Sequence, residues 1–236
     1  GYFREEKYSE GMKCFEEAIS LDPQSPSAHA WLSWAHLMNV WYGPSATRQQ
    51  SLKKAFELAE KCKALDDKHG GCYGALSHAY LMKRDYEKAI SEGKRAVELD
   101  PNTSRWAVNY GWALRSAGRY KDALLEYERA LRLNPLDKTR PLEQICTTYN
   151  MMRRHEEAIE TCKKVTQLSP KSLPSYINLA VAYSELDKME GAREAADKVL
   201  KIYPNLSMDS FEKTLPYKNK ADRDLYVNGL RKAGLK

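Results

Sequence analysis

Glycine and proline are scarce, 12 and 10 among 236 residues. That scarcity argues against a turn-rich all-β fold and against a disordered chain. Long hydrophobic runs are also missing. The most apolar stretch, residues 28–42, is interrupted by His29, Ser33, His36 and Asn39, and nothing approaches the roughly 18 consecutive apolar residues of a membrane span. No membrane partner is therefore expected. The opening residues, Gly1-Tyr2-Phe3-Arg4-Glu5-Glu6, do not form a signal peptide. Cysteines number five (Cys14, Cys62, Cys72, Cys146 and Cys162), an odd count at wide spacings with no C-x-x-C pair. A disulfide framework is not expected from such a set. A reducing compartment follows, the cytoplasm, with the periplasm as the alternative had an upstream leader been removed.

Charge of one sign is not in large excess. Lys+Arg is 38 and Asp+Glu 32, a net +6, short of a nucleic-acid-binding composition. Hydrophobic residues make up 42% and charged residues 30%, enough apolar matter for a sizeable core in a water-exposed chain. Catalytic signatures are absent: no phosphate-binding or dinucleotide glycine loop, no H-E-x-x-H and no G-x-S-x-G. Carboxylates such as Glu5-Glu6 and Glu156-Glu157 stand at helix-surface spacings. The expectation is a protein with no enzymatic activity and no cofactor.

What is present is repetition. Prolines stand at Pro101, Pro135, Pro170 and Pro204, separated by 34, 35 and 34 residues, each after a similar helix ending. Pro23 closes a fifth copy; it lies 78 residues before Pro101, two periods plus ten, and Asp67 stands where the intervening proline belongs. Twelve residues before each proline comes Gly11, Ala89, Ala123, Ala158 or Ala192, and fifteen before comes Tyr8, Tyr86, Tyr120, His155 or Met189. Twenty-one before comes Tyr80, Leu114, Tyr149 or Tyr183. Within each half-period apolar residues recur at helical spacing. Each unit reads as two antiparallel helices of about fourteen residues joined by a tight turn, with Arg84-Asp85 and Gly118-Arg119 as two such turns. The small residue lets paired helices approach, and the proline ends the second helix.

This pattern resembles the tetratricopeptide repeat over most of the chain, and the resemblance implies an all-α fold, a right-handed α-solenoid of antiparallel helix pairs. The units are a partial repeat at 1–25, repeats at 26–69, 70–103, 104–138, 139–172 and 173–206, and a C-terminal helical cap at 207–236. In the cap, Leu215, Leu225, Val227 and Leu230 are positioned to cover the last repeat. The partial first repeat begins near the end of its own first helix, so the chain reads as a piece of a longer polypeptide. The ten extra residues, 40–49, fall between the two helices of their repeat and place Trp41 and Tyr42 in a loop able to contact a partner. The tail from Phe211 to Leu235 is similar to the closing segment of tetratricopeptide regions attached to bacterial class III adenylate/guanylate cyclases and to some bacterial transcriptional regulators.

Two binding chemistries are set aside. Cys62, His69, Cys72 and His78 form a metal-like cluster whose spacing matches no common zinc pattern. By repeat register Cys62 points to the core and His78 to the opposite face, so the four are not expected to converge and no metal site is assigned. Cys62, Cys146 and Cys162 align with small core positions, where inert buried thiols are expected. Nucleic acid is the second. Residues 104–172 hold an excess of five positive charges, with Arg105, Arg115, Arg119, Arg140, Arg153 and Arg154 among them, but acidic residues are interleaved throughout.

The family resemblance implies that the first helix of each pair lines a concave groove. In register, the sixth residues are Trp31, Ala75, Asn109, Gln144 and Asn178, and the ninth are Trp34, His78, Trp112, Thr147 and Val181. Arg105 and Arg140 are second residues, and Met38, Met82 and Arg115 come one turn beyond the ninth. The predicted partner-binding set is thus Trp31, Trp34, Met38, His78, Met82, Arg105, Asn109, Trp112, Arg115, Arg140, Gln144 and Asn178. Tryptophan and methionine suit apolar anchors, the amide row Asn109-Gln144-Asn178 suits a peptide backbone, and the arginines suit carboxylates. The two-lysine, two-asparagine carboxylate clamp of some family members is not reproduced, because Gly74 and His78 occupy its required positions. The sequence therefore reads as a protein–protein interaction scaffold for a protein or peptide ligand. The alternatives are an intramolecular docking or dimerisation module of a larger signalling protein and, in another class, a nucleic-acid-binding solenoid.

Overall fold

The computed structural model describes residues 2–42 and 47–236, and every regular element among them is a helix. By contacts between Cα atoms the chain divides into two compact units, residues 1–113 and 114–236, with the division inside α6 (Ser104–Ser116). The first unit holds α1 (Tyr2–Leu21), α2 (Pro26–Tyr42), α3 (Arg48–Leu65), α4 (Gly70–Met82), α5 (Tyr86–Leu99) and most of α6. The second holds α7 (Tyr120–Leu133), α8 (Thr139–Met151), α9 (His155–Leu168), α10 (Leu173–Glu185), α11 (Met189–Ile202), α12 (Met208–Thr214) and α13 (Lys220–Lys232).

Each unit shows the stacking its repeats call for. In the first, α2 pairs with α3 and α4 with α5, and both α2 and α3 pack on α4. In the second, α8 pairs with α9 and α10 with α11, and both α8 and α9 pack on α10. Each pair thus buries its apolar face on the next, as solenoid units must. The small-residue positions lie at the centre of this packing: Ala89, Ala123, Ala158 and Ala192 are buried, and Ala55 holds the same place twelve residues before Asp67. A polar link crosses two of these contacts, with Ser33 Oγ donating to the Ala55 carbonyl (2.6 Å) and Ser77 Oγ to Ala89 (2.7 Å), and at the equivalent place Cys146 Sγ lies 3.3 Å from the Ala158 carbonyl oxygen. Gly11 is the exception, half-buried with open space where a Cβ would stand.

The turns inside the pairs share one geometry. Arg84, Gly118, Arg153 and Asp187 take left-handed φ values of 60°, 88°, 62° and 55°. The next residue's amide returns to the carbonyl of Tyr80, Leu114, Tyr149 or Tyr183 at 2.9–3.0 Å. This is a helix-ending motif that satisfies a terminal carbonyl. The residues recurring twenty-one before each proline are therefore also the acceptors that close each turn. Of these four residues, only Gly118 adopts the left-handed region without the steric cost of a Cβ, about 1–2 kcal/mol.

Two features of the sequence reading are modified. The ten extra residues do not all become loop, because α2 and α3 are 17 and 18 residues long against 13 and 14 for α4 and α5. Residues 43–46 and the side chains of Trp41 and Tyr42, the expected partner contact of that insertion, lie outside the described residues. At the start, α1 is one unbroken helix from Tyr2 to Leu21, not the tail of one helix followed by another. Among the described residues no helix is long and apolar enough to cross a membrane.

Candidate functional site

In the first unit the ninth residues of three successive repeats form an aromatic ladder. The Trp34 and His78 rings lie 4.5 Å apart, and the His78 and Trp112 rings 4.3 Å apart in an edge-on arrangement. Trp34 and His78 are buried and Trp112 is half-buried. Met38 and Met82 are half-buried against the apolar cluster of Leu37, Leu76 and Ala79. Trp31 is different: it remains 40% exposed, its ring stacked near Phe15 with the Arg105 guanidinium 4.6 Å from its centroid. The intervening repeat offers only Gly71 and Ala75 at the second and sixth positions, which leaves Arg105 room to reach past it. A cation on an exposed indole face contributes about 0.5–1 kcal/mol and fixes a flat, positively charged surface. Asn109 is buried, and neither atom of its amide has a hydrogen-bond partner among the described residues.

In the second unit the predicted amides are occupied. Arg115, buried on α6, donates to Gln144 Oε1 at 2.7 Å. Asn178 donates to Thr147 Oγ1 (3.0 Å) and the Pro174 carbonyl (2.8 Å), and its Oδ1 accepts from Asn150 Nδ2 (3.1 Å) and the Tyr226 hydroxyl (2.5 Å). Asn150 Oδ1 in turn meets His155 Nδ1 at 3.1 Å. Arg140 is half-buried on the first turn of α8. The sequence reading gave Gln144 and Asn178 to an incoming peptide backbone; in the folded chain they bond to Arg115 and to the C-terminal segment.

That segment does more than close the last pair. Leu215, Leu225, Val227 and Leu230 are buried as expected, and α13 lies close on α10, where a Cβ on Gly229 would stand 3.2 Å from Val181 Cα. The Lys218 amide, however, donates to the Ser116 carbonyl (2.8 Å), and Arg153 Nη2 donates to the Ala221 carbonyl (3.2 Å). The Tyr120 hydroxyl donates to the buried Asp222 carboxylate and accepts from Asn219 Nδ2 (2.9 Å). Burial, followed by this bond to Asp222, pushes the Tyr120 phenol up to about 12. Burial likewise raises the Tyr226 phenol well above its ordinary value. The tail therefore lies along the first helices of this unit and back to α6 and α7. Asp222 and Tyr226 escaped the sequence reading because their partners lie 102 and 48 residues away.

The arginines that gave residues 104–172 their positive excess are largely engaged. Arg119 pairs with Asp122 at 2.7 Å and Arg154 with Glu157, both one turn along their own helices. With Arg115 buried on Gln144 and Arg153 on the Ala221 carbonyl, four of the six arginines named for this stretch hold a polar partner within the chain.

The cysteines depart from expectation. Cys62 is joined to Cys72 and Cys146 to Cys162, with Cα–Cα separations of 5.4 and 5.6 Å, within the range of a disulfide. The small core positions that favour a buried thiol also bring helix backbones closest together, and two cysteines on facing helices then meet. Cys14 is free and exposed. Of the four residues in the metal-like cluster, His78 goes to the aromatic ladder, but Cys62, His69 and Cys72 do converge, with their ligating atoms within 4.8 Å of one another.

Comparison with known proteins agrees with this architecture. Three tetratricopeptide repeat family models match residues 2–25, 75–138 and 151–209, together more than half of the chain. Anaphase-promoting complex subunit 3 of Schizosaccharomyces pombe is 23% identical over 182 residues, 77% of this chain and 26% of that protein. The chain spans under half the length of the curated relatives it matches first. Among solved structures, the anaphase-promoting complex hetero-tetramer Cut9–Hcn1 superposes with a TM-score of 0.70 at 15% identity, over 97% of this chain and 41% of that one. YrrB, described as a protein with an unusual peptide-binding site, gives 0.50 at 21% identity, over 84% and 95%.

Proposed function

The chain belongs to the tetratricopeptide repeat family, and from that premise we propose that it is a non-enzymatic scaffold that binds a peptide or protein partner along its first helices. The observation that carries this reading is the exposed Trp31 ring with the Arg105 guanidinium held over it. An apolar anchor and a fixed cation side by side suit a segment that pairs a large apolar residue with a carboxylate. The rest of the proposed site in this unit is Trp34, Met38, His78, Met82, Asn109 and Trp112. In the second unit it is Arg115, Arg140, Gln144 and Asn178, where a partner gains the amides only by displacing Arg115 and Tyr226. The anaphase-promoting complex subunits and the peptide-binding site of YrrB support a scaffold role by family likeness.

The test is an arrayed library of acidic peptides carrying a Trp or Leu anchor, probed with wild type, Trp31→Ala and Arg105→Ala. Loss of either contact costs about 1–3 kcal/mol, or roughly five- to 150-fold in affinity. Equal binding by all three proteins would exclude this surface.

The tail's likeness to cyclase-attached repeat regions favours a second reading, a docking or dimerisation module within a longer bacterial signalling polypeptide. Concentration-dependent association in sedimentation would distinguish it from the first. A cytoplasmic setting belongs to either reading and requires both cysteine pairs to be open as thiols.

A further inference from the structure

Cys62 lies in the last turn of α3 and Cys72 in the first turn of α4, on either side of a short connection. Both are fully buried. His69, the residue that precedes α4, folds its ring back along that helix, bringing Nδ1 to 3.7 Å from Cys72 Sγ. The fold-back depends on Gly71: a Cβ there would stand 2.7 Å from His69 Cε1 and 2.9 Å from Nδ1. The other ring nitrogen, Nε2, is 2.9 Å from Ser27 Oγ. In the tautomer whose Nε2–H donates to that hydroxyl, the Nδ1 lone pair faces the sulfur atoms. Orientation of a ligating histidine by a bond at its other nitrogen is the usual outer-shell device of metal sites.

The second cysteine pair has none of this. Cys146 Sγ faces the Ala158 carbonyl at 3.3 Å, and among the described residues no histidine or carboxylate joins Cys146 and Cys162. The two pairs share repeat packing; only the first has a third donor aimed at it. Cys72 also sits at a helix N-terminus, where the backbone dipoles favour a thiolate.

We propose that Cys62, His69 and Cys72 form a redox-gated site for a soft d¹⁰ cation, Zn²⁺, closed when the two sulfurs are bonded to each other and open when they are reduced. Zinc takes thiolate sulfur at about 2.3 Å and imidazole nitrogen at about 2.0–2.1 Å in a tetrahedron. Donor atoms already within 4.8 Å of one another can reach such a point with small side-chain rotations. Two sulfurs and one nitrogen leave a fourth position for water. The chemistry balances in two steps. Two external thiols, or one dithiol, reduce the Cys62–Cys72 bond to two thiols and leave as a disulfide. One Zn²⁺ then replaces the two thiol protons, which are released to solvent, and accepts the neutral His69 Nδ1 without proton loss. The connection between α3 and α4 is thereby cross-linked in both states, by sulfur–sulfur or by metal.

The test uses the full chain in a Cys14→Ser, Cys146→Ser, Cys162→Ser background, reduced with a phosphine and desalted without oxygen. Co²⁺ is titrated as a spectroscopic probe and then displaced by Zn²⁺. The expected result is one equivalent of Co²⁺ with thiolate-to-cobalt charge transfer and intense tetrahedral visible bands, displaced stoichiometrically by Zn²⁺. The same protein in its oxidised form gives neither signal. Cys72→Ser abolishes charge transfer from two thiolates, and Ser27→Ala weakens binding about 10- to 100-fold, the usual effect of losing an outer-shell partner. His69→Gln, at a half-exposed position that tolerates change, shifts the cobalt bands because the nitrogen ligand is lost; far-UV circular dichroism confirms that each variant is folded. A reduced, folded protein with no charge-transfer band overturns the proposal. So does equal binding by the oxidised form, or cobalt spectra unmoved by His69→Gln.

Discussion

Replacing Gly74 with alanine sets two opposed effects against each other. Gly74 is in the interior of α4, where alanine is intrinsically more helical by about 0.5–1 kcal/mol. A Cβ at that position, however, would stand 2.6 Å from Trp106 Cζ3 and 2.8 Å from Cε3. One turn earlier the same ring lies over Gly70, where a Cβ would stand 3.2 Å from its Nε1. Gly70 and Gly74 together form the flat strip on which the Trp106 indole lies. Overpacking of this kind costs about 1–3 kcal/mol, so the clash wins. Gly74→Ala should lose about 1–2 kcal/mol net, a fall of about 2–8 °C in Tm at this chain length. The assay is urea unfolding followed by far-UV circular dichroism, repeated in a Trp106→Leu background. With the indole gone, the same substitution should become neutral or stabilising by about 0.5–1 kcal/mol, and the difference between backgrounds measures the contact. If Gly74→Ala raises stability equally in both backgrounds, the strip is not packed as described.

Three further outcomes are expected. Ala123→Leu, at a fully buried contact, should cost about 1–3 kcal/mol, while Lys164→Ala, an exposed residue paired with Glu160, should change stability by less than about 0.5 kcal/mol as read by urea unfolding. Tyr120→Phe removes the hydroxyl that satisfies the buried Asp222; a bond to a charged group contributes about 1.5–3 kcal/mol, and limited proteolysis should then cut first between residues 215 and 236. Burial lowers the His155 pKa, so the folded state resists a proton that the unfolded chain accepts. Its contribution to stability is complete above about pH 6.5 and is lost as pH falls below that value. His155→Tyr should flatten the dependence of the urea midpoint between about pH 6.5 and 5, and an unchanged slope would refute the assignment.

Much of this architecture is legible in one dimension because a repeat writes the same local demand several times. The small residue at Ala89, Ala123, Ala158 and Ala192 is required wherever two helices touch, and it recurs at a fixed distance from the closing proline. Even the displaced repeat obeys: Ala55, twelve residues before Asp67, occupies the same buried place without a proline to mark it. The turns at Arg84-Asp85 and Gly118-Arg119 were legible for the same reason, since the carbonyl that closes each belongs to a recurring residue a few positions away. Helix pairing, turn closure and the fate of each small residue are decided within about one period of chain, so their signals stay local.

Tertiary structure alone decided what depends on distant partners or on empty space. Nothing near Asp222 announces that Tyr120, 102 residues earlier, will hold its carboxylate. Nothing in the register of Asn178 shows that Tyr226 will occupy its amide. Whether Arg105 reaches Trp31 depends on the small side chains of Gly71 and Ala75 in the repeat between them. The cysteines make the same distinction within one residue type. The burial of Cys62, Cys146 and Cys162 followed from the small core positions they hold in the repeat, which pack between neighbouring helices. Their pairing depended on which two sulfurs face each other across neighbouring helices, and the approach of His69 depended on a missing side chain at Gly71. A pattern of residue types records which groups leave water; only the folded backbone fixes which of them then meet.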